Sequence, residues 1–305
     1  MRSMVVIGSR GSALAMAQAT WVKEQIRIRF PYVEAVVDII RTSGDKDVTA
    51  SLRAPSMVGV FVKELEQALL DEKIDIAVHS MKDVPTQIPA GLKIAAVPER
   101  EDTRDALIGN QAASLSKLPQ SARVGTGSIR RQAQLLSIRA DLKIMNIRGN
   151  LDTRLKKLHD GDYDAIILAC AGLRRLGLQS RISSILDHSQ MLPAPGQGAL
   201  AIETRIDDLR IEPIAAVLNH RTTALAVFAE RIFLQHMGGG CNVPVAAYAR
   251  LEKDVLEIDG LVASPDGQRV VRDSIRHDVG KLNEAVATIS QRILSHGGRD
   301  ILEAG

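Results

Sequence analysis

Apolar runs of strand length alternate with helical periodicity along most of the chain. Residues 4–8 are apolar and end at Ser9-Arg10-Gly11-Ser12. Leu14, Ala17, Trp21 and Ile28 then fall on one helical face as far as Phe30, where Pro31 intervenes. This predicts a strand, a turn and a helix, with Ser12 as the natural N-cap. Residues 35–40 read as a second strand. Residues 42–59 carry no periodicity and read as a long loop of the kind that serves as a mobile cover. Phe61, Leu65, Ala68 and Leu69 give a helix, residues 74–78 a buried strand, and residues 92–97 another. Strands and helices in this alternation predict an α/β domain.

Residues 98–105 are a charged break and a plausible crossing to a second domain. The same pattern then restarts. Residues 106–108 are apolar, 124–125 end a short strand, and Thr126-Gly127-Ser128 opens a helix with Ile129, Ala133 and Leu136 inward. A strand over 143–147 leads to Arg148-Gly149-Asn150, where Asn150 is positioned to cap a helix faced by Leu151, Leu155 and Leu158. Residues 165–169 are continuously apolar, as expected of a parallel strand covered on both faces. A second break, Pro193-Ala194-Pro195-Gly196-Gln197-Gly198, precedes a strand over 200–203 that is expected to return to the first domain. Two α/β lobes joined by two crossings, with a cleft between, is the architecture of hinged binding proteins. A helix over 220–237 ends at Gly238-Gly239-Gly240-Cys241. Residues 245–250, 255–262 and 269–275 alternate like antiparallel strands, and Leu282, Val286, Ile289 and Ile293 mark a covering helix. The expected domains are residues 1–98 with 199–217, residues 104–193, and an α+β domain over 219–305.

Composition narrows the function. The 305 residues are 45% hydrophobic and 25% charged, which supports a sizeable core. A net charge of +3 and only 3% aromatic residues argue against a nucleic-acid binder built on stacking. The chain opens directly into a strand and has no 18-residue apolar run, so a cytoplasmic, reducing compartment is expected. Cys170 lies in an apolar run and reads as core, whereas Cys241 lies in a glycine cluster and reads as accessible. Neither a disulfide framework nor metal-ligand spacing is present.

Candidate chemistry concentrates at strand ends. His79-Ser80-Met81-Lys82-Asp83-Val84-Pro85 follows the strand at 74–78, and open α/β sheets bind ligands at the carboxyl ends of their strands. Ser80, Lys82 and Asp83 are therefore candidate site residues; the plainer reading is a polar loop with a local ion pair. Arg10 and Ser12 stand at a strand-to-helix turn suited to an anion, or to simple capping. In the second lobe three strand ends deliver cations or helix N-termini: Thr126, Ser128, Arg130 and Arg131; Arg148 and Arg154; Arg174 and Arg175. Three such clusters at equivalent positions point to a polyanionic ligand, since the arginine fork binds carboxylate or phosphate bidentately.

With the stretches 79–86, 125–132, 148–154, 195–198 and 239–244 in place, the sequence resembles the porphobilinogen deaminase (hydroxymethylbilane synthase) family over nearly its whole length. The resemblance implies three domains, the first two like type II periplasmic binding proteins. It implies a transferase that joins four porphobilinogen molecules head to tail, losing ammonia each time, and releases the linear tetrapyrrole hydroxymethylbilane. It implies a dipyrromethane cofactor held by thioether to Cys241, a role that an accessible thiolate suits. By the family's pattern, Ser80, Lys82, Thr126, Ser128, Arg130 and Arg131 hold cofactor carboxylates, and Arg10, Ser12, Gln18, Arg148, Arg154, Arg175, Gln197 and Gly198 line the path of substrate and growing chain. Asp83 matches the catalytic aspartate, where a carboxylate accepting the pyrrole N–H stabilises the azafulvene-type cation left by the departing ammonia. A monomer that passes its product to the next pathway enzyme is also implied, with neither nucleic acid nor membrane as partner.

One position departs from the family. Its usual Gly-Gly-Lys-Gly-Leu-Phe run is here Met57-Val58-Gly59-Val60-Phe61, so Val58 stands in place of a lysine. A non-catalytic two-lobe anion-binding protein would account for the arginines, but gives no role to Cys241 or to Asp83 among cations. A nucleic-acid binder using Arg130, Arg131, Arg148 and Arg154 conflicts with the mild charge and scarce aromatics.

Overall fold

The computed structural model describes residues 3–40, 62–109, 114–238 and 244–304. The loop expected over 42–59, with Val58, and the cysteine at 241 lie outside them. The chain forms two compact units, residues 1–101 with 199–224 and residues 102–198 with 225–305.

The first unit is built on β1 (Ser3–Ser9), β2 (Val33–Ile39), β3 (Ile76–Ser80), β4 (Leu92–Ala96) and β10 (Leu200–Arg205), in the order β2-β1-β3-β10-β4. β1 runs parallel to β2 and β3, while β10 is antiparallel to both its neighbours. The strand after the Pro-Gly break thus returns to the first sheet. Helix α1 (Ala13–Arg29) covers one face, burying Ala19, Val22 and Ile26 with Ile76, Val78 and Ile202. Helix α2 (Lys63–Leu70) covers the other, packing Leu65 and Leu69 on Ile74, Ala77 and Leu92. The strand expected over 74–78 starts and ends two residues later, because Ser80 still pairs with Leu200.

In the second unit, β5 (Asp105–Gly109), β6 (Arg123–Gly125), β7 (Lys143–Met145), β8 (Ala165–Ala169) and β9 (Ser184–Leu186) take the order β7-β6-β8-β5-β9. β8 is parallel to β6 but antiparallel to β5, so this sheet is mixed where its apolar run suggested a parallel one. Continuous apolarity reports burial on both faces and not strand direction. Both faces are indeed covered: Val124 and Ile167 pack with Leu135 of α3 (Ile129–Ile138), and Ile166 and Leu168 pack with Leu155 and Leu158 of α4 (Leu151–His159). α5 (Cys170–Arg175) follows β8 directly.

The same unit contains an antiparallel sheet of β11 (Val245–Glu252), β12 (Val255–Ala263) and β13 (Val270–Asp278). Phe233 at the end of one long helix and Val286, Ile289 and Ile293 of another (Leu282–Ile293) bury its inner face with Leu256 and Ile258. The alternation along β13, exposed then half-buried at every step, is that of an edge strand with one solvated face. The short helix Glu212–Leu218 has no counterpart in the sequence reading; Pro213 in its first turn starts it, and Ile214 and Leu218 join the α1 core.

Candidate functional site

The first unit places its candidates around the end of β3. Side chains alternate along the strand, so Ser80 shares the α1 face with Ile76 and Val78. There Gln18, itself buried, donates from Nε2 to Ser80 Oγ at 2.9 Å. The chain then leaves the sheet in a 3-10 turn, Met81–Asp83. Met81 N–H is held by Ala199 O at 3.0 Å, and Val84 N–H closes the turn on Met81 O at 3.1 Å. Met81 points into the core and leaves Lys82 and Asp83 half-buried at the turn surface. Pro85, which has no N–H to donate, keeps the segment from continuing. At the end of β1, Ser12 caps α1 by accepting from Ala15 N–H at 3.3 Å, and Arg10 stands half-buried in the preceding loop.

The second unit places its candidates around one carboxylate that the sequence reading did not single out. Asp105 is wholly buried at the start of β5. Its Oδ2 lies 2.8 Å from Arg130 Nη2, and its Oδ1 lies 2.7 Å from Arg131 Nη2. Gln197 Nε2 donates to the same Oδ1 at 2.9 Å and to Thr103 O at 2.7 Å. Arg130 also donates to Leu192 O, and Arg131 to Ile167 O. Burial pushes the Asp105 pKa up, but the two guanidinium groups outweigh it and hold the carboxyl well below the usual carboxylate range. Burial pulls Arg130 below its ordinary value against the pull of Asp105. An acid opening an apolar strand was the available signal for Asp105, hidden among the neighbouring charges of the break at 98–105.

Two buried guanidinium groups on one carboxylate leave a surplus positive charge. Arg130 Nε, also buried, has no hydrogen-bond partner among the described residues. Close by in sequence, Ser128 caps α3 by accepting from Arg131 N–H at 3.4 Å, and Thr126 Oγ1 accepts from Ser128 N–H at 3.1 Å. A capped helix start, two hydroxyls and a buried cationic surplus fit a ligand bearing several carboxylates.

Two of the remaining arginines are tied to backbone carbonyls. Arg154 Nε donates to Gly149 O at 2.8 Å, and Arg175 Nη2 to Gly198 O at 2.7 Å. Lys157 reaches Arg148 O at 3.4 Å. Asn150 occupies the N-cap position of α4, but its side chain makes no capping hydrogen bond, contrary to the sequence expectation. Arg174 lies 3.1 Å from Asp102, which Arg104 also grips at 2.8 Å, so the third arginine pair is split: Arg174 serves an ion-pair cluster and Arg175 the Gly198 turn. Cys170 is buried, and burial, reinforced by Asp102 and Asp105, pushes its thiol up to about 12. Among the described residues no group of three or more His, Cys, Asp or Glu side chains could hold a metal, and no helix is long and apolar enough to cross a membrane.

Two mixed α/β sheets with hydroxyl and cationic groups at their strand ends, followed by a small antiparallel sheet with covering helices, define a protein of the α/β class. Comparison with known proteins makes this particular. Residues 5–213 match the family model "Porphobilinogen deaminase, dipyromethane cofactor binding domain", and residues 224–295 match "Porphobilinogen deaminase, C-terminal domain". The porphobilinogen deaminase of Thermus thermophilus is 46% identical over 300 residues, covering 98% of both chains. That of Pelobacter propionicus is 48% identical over 297 residues, covering 97% of this chain and 96% of its own. Among solved structures, the methionine binding protein MetQ overlaps 75% of this chain and 96% of its own at 14% identity and a TM-score of 0.45. The chain belongs to the porphobilinogen deaminase family.

Proposed function

We propose that in this porphobilinogen deaminase Asp83 acts on the reacting pyrrole, while Cys241 carries the dipyrromethane cofactor through a thioether. The reaction joins porphobilinogen units into a linear tetrapyrrole in tetrapyrrole biosynthesis. In each cycle the C–N bond of an aminomethyl group breaks and its electron pair leaves with ammonia. A C–C bond then forms to the free α-carbon of the previous ring, which gives up its proton. After four cycles, release of hydroxymethylbilane would break the C–C bond that joined the first ring: its methylene carbon takes the hydroxyl of a water, and the carbon it leaves takes the proton. The dipyrromethane, when bound, supplies the first free α-carbon.

The observation that carries this reading is the buried surplus charge of Arg130, Arg131 and Asp105. Every pyrrole unit brings an acetate and a propionate, so the ligand is a polycarboxylate. Arg130, Arg131, Ser128, Thr126, Lys82 and Ser80 hold cofactor carboxylates in this assignment. Arg10, Ser12, Arg148, Arg154 and Arg175 serve the substrate and the growing chain. Gln18 and Gln197 are buried on Ser80 and Asp105, so they act by positioning those groups. Asp83, exposed enough in its turn to meet a ligand, accepts the pyrrole N–H. Its charge then stabilises the positive charge that spreads onto the ring nitrogen as the C–N bond breaks. A cytoplasmic monomer that hands its product to the next enzyme of the pathway completes the reading and rests on the family resemblance.

Intact-mass measurement with an Ehrlich-type colour test checks the assignment. The purified protein is expected to exceed its sequence mass by a dipyrrole unit, and Cys241→Ser to lack the increment. Asp83→Ala is expected to fold and load but to turn over at less than about one-hundredth of the parent rate. A bare mass with no turnover after porphobilinogen is supplied contradicts the Cys241 assignment. Near-parental turnover of Asp83→Ala contradicts the other.

A further inference from the structure

Beneath the Asp83 turn, on the α2 face of the first sheet, lies a buried polar group that none of the chemistry above uses. His79 shares this face with Ala77, opposite to Ser80. Glu203 of β10 pairs in register with Ala77, and Ala201 with His79, so Glu203 is the diagonal neighbour of His79 on the same face. His79 Nε2 lies 3.0 Å from Glu203 Oε2, with side chains 4% and 0% exposed. Glu66, in the first turn of α2, is buried beside them. Glu203 Oε1 and Glu66 Oε1 are both buried and have no hydrogen-bond partner among the described residues.

Two carboxylates and an imidazole under a sheet are a costly way to fill space, because a buried carboxylate oxygen without a donor carries the full desolvation penalty. Glu203 keeps one oxygen on His79 and has the other buried without a donor. Burial, then the charge of Glu203, pushes the Glu66 pKa above its ordinary value, with His79 and Lys63 opposing.

The strand end is therefore gripped from both faces. Gln18 holds Ser80 from α1, and Glu203 holds His79 from below, one residue earlier. The next backbone N–H, of Met81, is fixed by Ala199 of the strand-forming segment that also carries Glu203. We propose that Glu203 is a positioning residue for the reaction, acting through His79 to fix the end of β3 and with it the turn that presents Lys82 and Asp83.

This inference rests on the assignment of Asp83, and one set of variants separates the two. The measurement is kcat and KM for the parent, Glu203→Leu, Glu203→Gln and Asp83→Ala holoenzymes, with rates normalised to dipyrromethane content by the colour reaction. Glu203→Leu is expected to lower kcat about ten-fold with KM within about two-fold, because displacing a reacting group costs rate more than affinity. Glu203→Gln keeps an acceptor for His79, and is expected to return to within about three-fold of the parent. A parental kcat in Glu203→Leu, or an equal loss in both variants, overturns the proposal. If Glu203→Leu does not fold, His79→Ala and His79→Gln take its place: loss of kcat in the first with recovery in the second supports the clamp, and equal behaviour overturns it. Parental turnover of Asp83→Ala would instead remove the reading on which the proposal rests.

Discussion

Asp105 Oδ2 and Arg130 Nη2 lie 2.8 Å apart with both side chains buried, and the same carboxylate also holds Arg131. The arrangement fixes two adjacent arginines of a helix start before any ligand arrives. Asp105→Asn would leave two buried guanidinium groups with no counter-charge. The expected loss is about 3–5 kcal/mol of unfolding free energy, because breaking a buried pair strands its partner. Urea denaturation measures it, and a loss below about 1 kcal/mol, the ordinary worth of a surface ion pair, would contradict the account.

The same carboxylate sets an acid limit. Its folded pKa lies below the ordinary 3.8. A depressed carboxylate contributes stability that is fully present above the unfolded pKa and is lost as the pH falls through the folded value. The parent is thus expected to lose this contribution progressively below pH 3.8. Asp105→Asn, already lacking it, is expected to show a flatter profile there. Urea midpoints collected from pH 6 downward test the difference.

Much of the fold was legible before the structure. The strand end before Thr126 followed from an apolar run stopping in a polar cluster, and the return of β10 to the first sheet followed from the Pro-Gly break, whereas β3 runs on to Ser80 and β7 stops at Met145, two residues short of its apolar run. What escaped reading was pairing across sequence. Asp105 meets Arg130 and Arg131 over 25 and 26 residues, and His79 meets Glu203 over 124. Local periodicity carries no trace of such partners. Strand direction escaped for a related reason: residues 165–169 are apolar because both faces of β8 are covered, whichever way its neighbours run.

Glu66 makes an opposite prediction at higher pH. Its folded pKa is raised above the ordinary 4.5. Unfolding then releases a proton once the pH exceeds the unfolded value, so stability is lost as pH rises from 4.5 through the folded value. Glu66→Gln mimics the protonated side chain. It is expected to melt higher than the parent at pH 8 and to converge with it, or fall below it, at pH 4. Thermal melts at the two values decide the matter, and a lower melting temperature at pH 8 would contradict the upward shift.

Cys170 should resist alkylating reagents. Cys170 is buried, and its thiol is pushed up to about 12. Thiolate is the reactive form, so Cys170 is expected to stay unmodified in the native protein at pH 8. Cys241→Ser treated with iodoacetamide should therefore gain no adduct while folded and one adduct in urea, as read by intact mass. Modification of native Cys241→Ser at the rate of an exposed thiol would mean that Cys170 is accessible.

The hairpin between β12 and β13 seats directly on the helix that carries Arg130 and Arg131. Gln132 Nε2 donates to Pro265 O at 3.1 Å. At the tip, Gly267 has φ +71°, and a Cβ there would lie 2.5 Å from Ala133 O and 2.6 Å from Ser137 N. Gly267→Ala faces two costs, left-handed strain of about 1–2 kcal/mol and a clash with backbone that cannot swing aside. Gly297, at φ +99° with nothing within 4 Å, carries the first cost alone. Gly267→Ala is thus expected to destabilise by about 1–3 kcal/mol more than Gly297→Ala in urea. Because the displaced backbone belongs to α3, whose residues are assigned to the cofactor carboxylates, its dipyrromethane content by the colour reaction should fall while Gly297→Ala keeps the parental content. Equal effects of the two substitutions on stability and dipyrromethane content would mean that the hairpin does not bear on the arginine helix.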